Sequence, residues 1–344
     1  MKKHVLLATG LAVLSTSAFA TKARMEALGQ DNNGGFYIQD DRNVFRNASA
    51  LNNTKNYLVT EWGQDSKAEG GFFREMGSFA YGLYLGNDGD DRPTTPAGFE
   101  NQQNSIDLMF AGDMGVKWGA RVHYSDFDNK STNKSAEGMG LGFGMEMGDI
   151  KAYANLTLKD ESKGSTALAA DKFDGDRMNV GASYMFSGMT FFADYDKSTK
   201  EVTNNAVKSE TDYTNLTIGV GKIMEVSSTA RVFTDVAYAT TEEKVKSGTK
   251  TTTTSLPLTI GFEADATSWL TLRGSISQNV FINEKKVGSV KETQGNTTDV
   301  AAGATLNFGK LKVDGVIGND TTNGENGALR TDELMSKVAV HYWF

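Results

Sequence analysis

The sequence predicts an all-β fold, a closed antiparallel up-and-down transmembrane β-barrel of about 16 strands, with 14 as the alternative count. Three observations predict it. Apolar and polar residues alternate through runs of roughly ten residues; short glycine-bearing turns recur at one end of those runs, and longer polar loops at the other. Alternation means a repeat of two, whereas a helix would need a period near 3.6.

Residues 1–20 precede that pattern and are expected to be a signal peptide. Lys2 and Lys3 supply the positive start, Val5 to Leu14 the apolar stretch, and Ala18-Phe19-Ala20 a small-x-small cleavage site, leaving Thr21 as the first mature residue. A spanning helix needs about twenty apolar residues, roughly twice that stretch. The chain has no cysteine, so lipid attachment through one and a disulfide framework are both excluded.

Thr21 to Asn56 does not alternate and is expected to be a periplasmic or plug segment, with the barrel running from residue 57 to 344. Tyr57 to Gly63 and Gly71 to Met76 are two short strand candidates. Fourteen further runs follow, at about 78–86, 104–113, 114–126, 136–148, 149–160, 176–187, 188–198, 211–224, 227–240, 251–266, 267–283, 294–308, 309–319 and 333–344. In the run at 114–126, Val116, Trp118, Ala120, Val122 and Tyr124 take one face, and Lys117, Gly119, Arg121 and His123 the other.

The expected tight turns are Met76-Gly77-Ser78, Ala111-Gly112-Asp113, Met147-Gly148-Asp149, Ser187-Gly188 and Phe308-Gly309-Lys310, where glycine supplies the positive φ that hairpins demand. The expected longer loops are Asp128 to Glu137, Lys159 to Asp174, Ser198 to Glu210, Glu242 to Thr251 and Gly318 to Asp332, and the Thr/Ser/Lys-rich stretch from Lys246 to Ser255 reads as mobile surface. Short periplasmic turns with longer outward loops are the pattern of outer-membrane barrels, so the expected location is the cell outer membrane, with its lipid and lipopolysaccharide as surroundings.

A mean hydropathy of −0.40 is compatible with this, because each strand meets lipid only at every second residue. The net charge of −8 leaves no basic stripe to neutralise phosphate, which argues against a nucleic-acid partner.

If the apolar set faces lipid, the alternate set lines a lumen. Its charged members include Asp107, Lys117, Arg121, Lys151, Arg177, Asp194, Arg231, Asp235, Glu263 and Arg273, the candidate pore-lining residues. Buried dry and unpaired, each ion would cost several kcal/mol, so they need water or cross-strand partners. A barrel this size is wide enough to hold water. The expectation is a passive pore for small polar solutes and ions.

The candidate constriction is the loop Asn87 to Asn104, stiffened by Pro93 and Pro96 and presenting Asp88, Asp90, Asp91 and Glu100; a solvated outward loop is the alternative. Gly140, Gly142 and Gly144 point inward on one strand and leave a smooth wall against which another segment could pack.

Three resemblances extend this reading. Val338, Val340, Tyr342 and the terminal Phe344 share one face of the last run, which resembles the C-terminal signal read by the outer-membrane barrel-assembly machinery. An acidic loop opposing Lys117, Arg121 and Arg177 would resemble the eyelet of general porins. The stretch Asp41 to Leu51 is similar to the Asn-Pro-Ala hatch motif of the long-chain fatty-acid outer-membrane transporters, although Ala48-Ser49 stands where that family has proline. This last resemblance implies a plugged barrel that takes up hydrophobic molecules, the alternative to a polar pore; a structural or adhesive barrel is a second alternative.

No enzyme is expected. Only His123 and His341 remain after signal cleavage, no nucleophile is paired with a base, and no closely spaced His or Cys set suggests a metal or cofactor. A homo-oligomer is compatible with the architecture, but no residue in the sequence marks a subunit interface.

Overall fold

The computed structural model describes residues 21–63, 68–87, 95–164, 171–246, 248–295, 298–319 and 334–344. The predicted signal peptide, the constriction candidates Asp88, Asp90 and Asp91, and most of the loop predicted from Gly318 to Asp332 lie outside these residues.

The barrel wall comprises β1 (Tyr57–Gly63), β2 (Glu69–Met76), β3 (Phe79–Leu85), β4 (Ile106–Asp113), β5 (Lys117–Asn129) and β6 (Lys134–Met147). It continues with β7 (Ile150–Lys163), β8 (Lys172–Phe186), β9 (Met189–Asn204), β10 (Val207–Ser227), β11 (Ala230–Val245) and β12 (Lys250–Thr267). It finishes with β13 (Leu270–Val287), β14 (Val290–Thr293), β15 (Thr298–Phe308), β16 (Leu311–Asn319) and β17 (Leu334–Trp343).

Every pairing is antiparallel and, apart from the closing pair, follows chain order, with β14 and β15 both pairing with β13 and together making one wall strand. The wall therefore has 16 strands. β1 pairs with β17 from Tyr57↔Trp343 to Gly63↔Lys337, which closes the sheet and leaves no unpaired edge to meet hydrocarbon.

Alternation behaves as the sequence predicts. Leu58, Trp62, Leu108, Phe110, Val122, Phe262 and Ile276 stand exposed on the outer face, while Glu61, Asp107, Arg121, Glu263 and Arg273 are buried inside. Among the described residues no helix is long and apolar enough to cross a membrane; the strands do the crossing. Satisfying every backbone group within a closed sheet is what permits that.

The periplasmic turns hold φ values of +63° at Gly77, +58° at Gly148, +74° at Gly188 and +71° at Gly309, each with open space around it. One turn differs from expectation. β4 continues through Ala111-Gly112-Asp113 to pair Asp113 with Lys117, and the turn is Met114-Gly115-Val116 instead. Asp113 Oδ1 accepts from the Gly115 amide at 2.9 Å, an Asx turn that selects the second glycine over the first.

The opposite rim departs further. Ser198 to Glu210 is not a loop: β9 and β10 pair continuously up to Asn204↔Val207, leaving Asn205-Ala206 as the turn. β7 and β8 shorten the predicted Lys159–Asp174 loop in the same way, β6 begins at Lys134 inside the predicted Asp128–Glu137 loop, and much of the Lys246–Ser255 stretch is the start of β12. β10 has 21 residues, against about 9–11 needed to span the hydrocarbon. Past the membrane both faces meet water, so alternation fades from the sequence while the backbone ladder persists.

Candidate functional site in the lumen

Thr21 to Asn56 touches inward-facing residues on strands all around the closed wall, an arrangement available only from inside. It begins with α1 (Lys22–Ala27), capped by Thr21 Oγ1 accepting from the Arg24 amide at 3.1 Å. Further along are α2 (Asn43–Arg46) and a short 3₁₀ helix, Ala48–Asn52, whose cap Asn47 Oδ1 accepts from the Ser49 amide at 3.0 Å.

Two kinds of contact seat the segment. Toward β1–β4 they are apolar: Val44, Phe45 and Leu51 join Tyr57, Val59, Phe73, Tyr84 and Met109 in one buried cluster. The wall admits the 3₁₀ helix because Gly119 and Gly144 lack side chains there. A Cβ on Gly119 would collide with the Ala48 carbonyl, and one on Gly144 with Asn47 Oδ1.

Elsewhere the contacts are ionic. Arg24 Nε donates to Glu263 Oε2 at 2.8 Å, and its Nη1 to Asp40 Oδ2 at 3.1 Å. Glu263 also takes Arg273 Nε at 2.9 Å and the Arg231 guanidinium, while Arg273 Nη1 reaches Asp314 Oδ1 at 3.1 Å. Across the lumen Lys22 Nζ donates to Glu69 Oε2 at 3.0 Å, and Arg42 Nη1 to Glu69 Oε1 at 3.1 Å and Tyr84 Oη at 3.0 Å. Lys337 pairs with Glu26 at 2.7 Å. Removing one partner from a buried pair leaves the other charge stranded, at about 3–5 kcal/mol each.

Burial pushes the Asp40 carboxyl up to about 6, although Arg24 and the Arg42 amide hold it down, and it pushes Asp41 well above the ordinary carboxylate range.

All ten residues predicted to line the pore face inward, but they do not border one open channel. Asp107, Arg121, Glu263 and Arg273 are buried; Lys117, Lys151, Arg177, Asp194, Arg231 and Asp235 are partly so. Asp107 Oδ1 lies 3.0 Å from His123 Nδ1, Lys117 Nζ donates to Glu146 Oε1 at 3.0 Å, and Arg177 is bonded to Asp196. Asp194 takes the hydroxyl of Tyr153 and an Asn179 amide, and Asp235 takes Tyr37 Oη at 2.6 Å. Lys151 reaches Glu146 at 3.8 Å.

The described part of the candidate constriction loop turns inward. Gln102 is buried and bonded to Asp160, and it accepts from Ser125 Oγ at 2.6 Å; Phe99 lies against Phe173. Glu100 faces Lys134 at 3.4 Å rather than Lys117, Arg121 or Arg177. His341 clusters with Tyr57 and Trp343, at centroid distances of 5.8 and 5.2 Å.

The sequence assigns no partners to Lys22, Arg24 and Arg42, and the lumen set predicted from it lacks Glu61 and Glu69. For Glu61 a signal existed, since alternation in β1 puts it on the face of Tyr57 and Val59. The segment has no periodicity, so nothing local told which wall residues it would meet.

Closure, an apolar outer face and a charged interior define an outer-membrane β-barrel. No family model matches the chain, and neither does any curated protein. The hatch-motif resemblance is therefore not confirmed.

Among solved structures the chain is similar to a Pseudomonas aeruginosa FadL homologue, at 10% identity and a TM-score of 0.50, covering 94% of this chain and 98% of that one. It is also similar to the Ralstonia pickettii toluene transporter TbuX, at 13% identity and a TM-score of 0.42, over 93% and 97% of the two chains. A third likeness is to OmpT, an outer membrane protein of Vibrio cholerae, at 11% identity and a TM-score of 0.42, over 84% and 95%. At such identities the likeness concerns the fold.

Proposed function

We propose that the chain is an outer-membrane pore for small polar solutes and ions, its lumen narrowed by residues 21–56 acting as a plug. One observation carries the reading: the larger cavity beside the segment gathers charged and amide side chains, among them Arg121, Arg177, Asn179 and Asp194, next to Phe45 and Leu156. An apolar solute wants an apolar pocket with few polar groups. Catalysis is not part of the proposal: Ser125 Oγ donates to Gln102, and Asp107 holds His123.

The reading is tested in planar bilayers. Stepwise channels in salt are expected from the folded protein, and silence both from it and from a chain lacking residues 21–52 would sink the proposal.

A second reading, uptake of hydrophobic molecules, draws on the apolar cluster around Phe45 and Leu51, which a greasy ligand could exploit if the segment shifted. It requires a long-chain fatty acid to bind the detergent-folded barrel and to be displaced by substitutions in that cluster. Absence of binding removes it.

A further inference from the structure

Two cavities of about 120 and 60 Å³ lie between the N-terminal segment and the inner wall of β5–β8. Along β7 the upper one takes Asn155 and Thr157, and the lower one Lys151 and Tyr153; along β8 the upper takes Arg177 and the lower Ser183. The two are therefore stacked in the direction of transport. Arg46 borders both.

A few small inward residues interrupt the larger polar ones on this side of the wall. Gly140 borders the upper cavity and Ser183 the lower, and Gly181 lies beneath the Tyr153 hydroxyl.

Arg46 is also held more loosely than its neighbours. Its Nη1 reaches Tyr153 Oη only at 3.4 Å and its Nη2 reaches the half-exposed Asp31 at 3.5 Å; the firmer contacts are to the segment's own Gly34 carbonyl, 2.9 Å from Nε, and the face of Phe36. Arg24 and Arg42, by contrast, each make several contacts near 3 Å to buried carboxylates or hydroxyls. Lifting the segment would break all of those pairs. Swinging Arg46 gives up its Gly34 hydrogen bond, the Phe36 face and two long contacts, and leaves the buried pairs of Arg24 and Arg42 intact.

We propose that solutes pass beside the seated segment, along β6–β8, with Arg46 and Tyr153 as the movable partition between the two cavities. This deepens the polar-pore reading and rests on it. A guanidinium in that partition attracts anions and repels cations, so its charge biases what crosses between the two cavities.

The chain has no cysteine, which allows a clean tether. A Cβ on Gly303 would lie 2.7 Å from that of Ala27, and a disulfide needs about 3.8 Å, so the double variant Ala27→Cys/Gly303→Cys can be linked with a shift of roughly 1 Å. In planar bilayers, channels of the oxidised variant should persist with conductance within about 30% of the reduced form. Arg46→Ala should raise single-channel conductance about twofold, and Arg46→Glu should move the reversal potential in a salt gradient toward cation selectivity.

The proposal is overturned if oxidation silences channels that reduction restores, because passage would then require the segment to leave. It is equally overturned if Arg46→Glu channels conduct with unchanged selectivity. Neither outcome touches the pore reading itself, which falls only if the unmodified and truncated chains are both silent.

Discussion

Asn205 and Ala206 form the β9–β10 turn with φ of 51° and 63°, both in the left-handed region. Two such residues make a type I′ turn, which matches the twist of a hairpin and prefers glycine at its second position. A β-carbon in this conformation costs about 1–2 kcal/mol, against about 0.5–1 kcal/mol for the freedom glycine gives up on folding. Ala206→Gly should therefore stabilise the hairpin by about 0.5–1 kcal/mol, read as slower amide exchange in β9 and β10; faster exchange would contradict the turn assignment. Glu263 is the opposite case, a residue whose replacement is costly. Three guanidiniums converge on its carboxylate, and Glu263→Gln should weaken seating of the segment by about 3–5 kcal/mol. The expected sign is a noisier, larger conductance from a barrel whose heat-modifiable migration is retained.

Among the elements, the 3₁₀ helix Ala48–Asn52 depends on what the wall omits. Gly119→Leu places a branched side chain where the Ala48 carbonyl now sits, while the β-ladder of β5 is untouched. Protease access to residues 47–52 should rise with the barrel still folded; unchanged protection would show that the helix packs elsewhere. This element also shows how far the sequence could be read. Gly140, Gly142 and Gly144 announced a smooth wall, and the structure does bring a segment against Gly144, but no local pattern named that segment. Strands were legible wherever lipid faced one side, because hydrocarbon enforces a period of two. Trp118, Val122 and Tyr124 placed β5 in this way. Above the membrane the same strands became invisible: Lys200 to Asn204 reads as a polar loop, yet each is paired in β9. Backbone hydrogen bonds hold those residues, and backbone bonds leave little mark on composition.

At the scale of the whole molecule, the seated segment sets a dependence on pH. Burial raises the Asp40 carboxyl to about 6 and Asp41 well above its ordinary value, with Arg24, Arg42 and Lys312 among the cations that oppose the shift. A raised carboxyl binds its proton more tightly in the seated state, so that contribution to seating is present in full below the unseated value of about 3.9 and is lost as pH rises through about 6. Lowering the pH from 7 to 5 should accordingly tighten the segment and lower channel conductance, and Asp40→Asn should flatten the part of the response centred near 6. A response unchanged in that variant would remove Asp40 from the account.

Wall closure has its own consequence for biogenesis. Tyr57 finds its partner in Trp343, and the Phe344 amide donates to the Asn56 carbonyl at 3.1 Å. The first strand of the wall thus waits for the seventeenth. No piece lacking β17 can zip shut, so the chain must be kept apart from the bilayer until that strand is made, and loss of β17 should halt assembly altogether instead of yielding a slightly smaller cylinder.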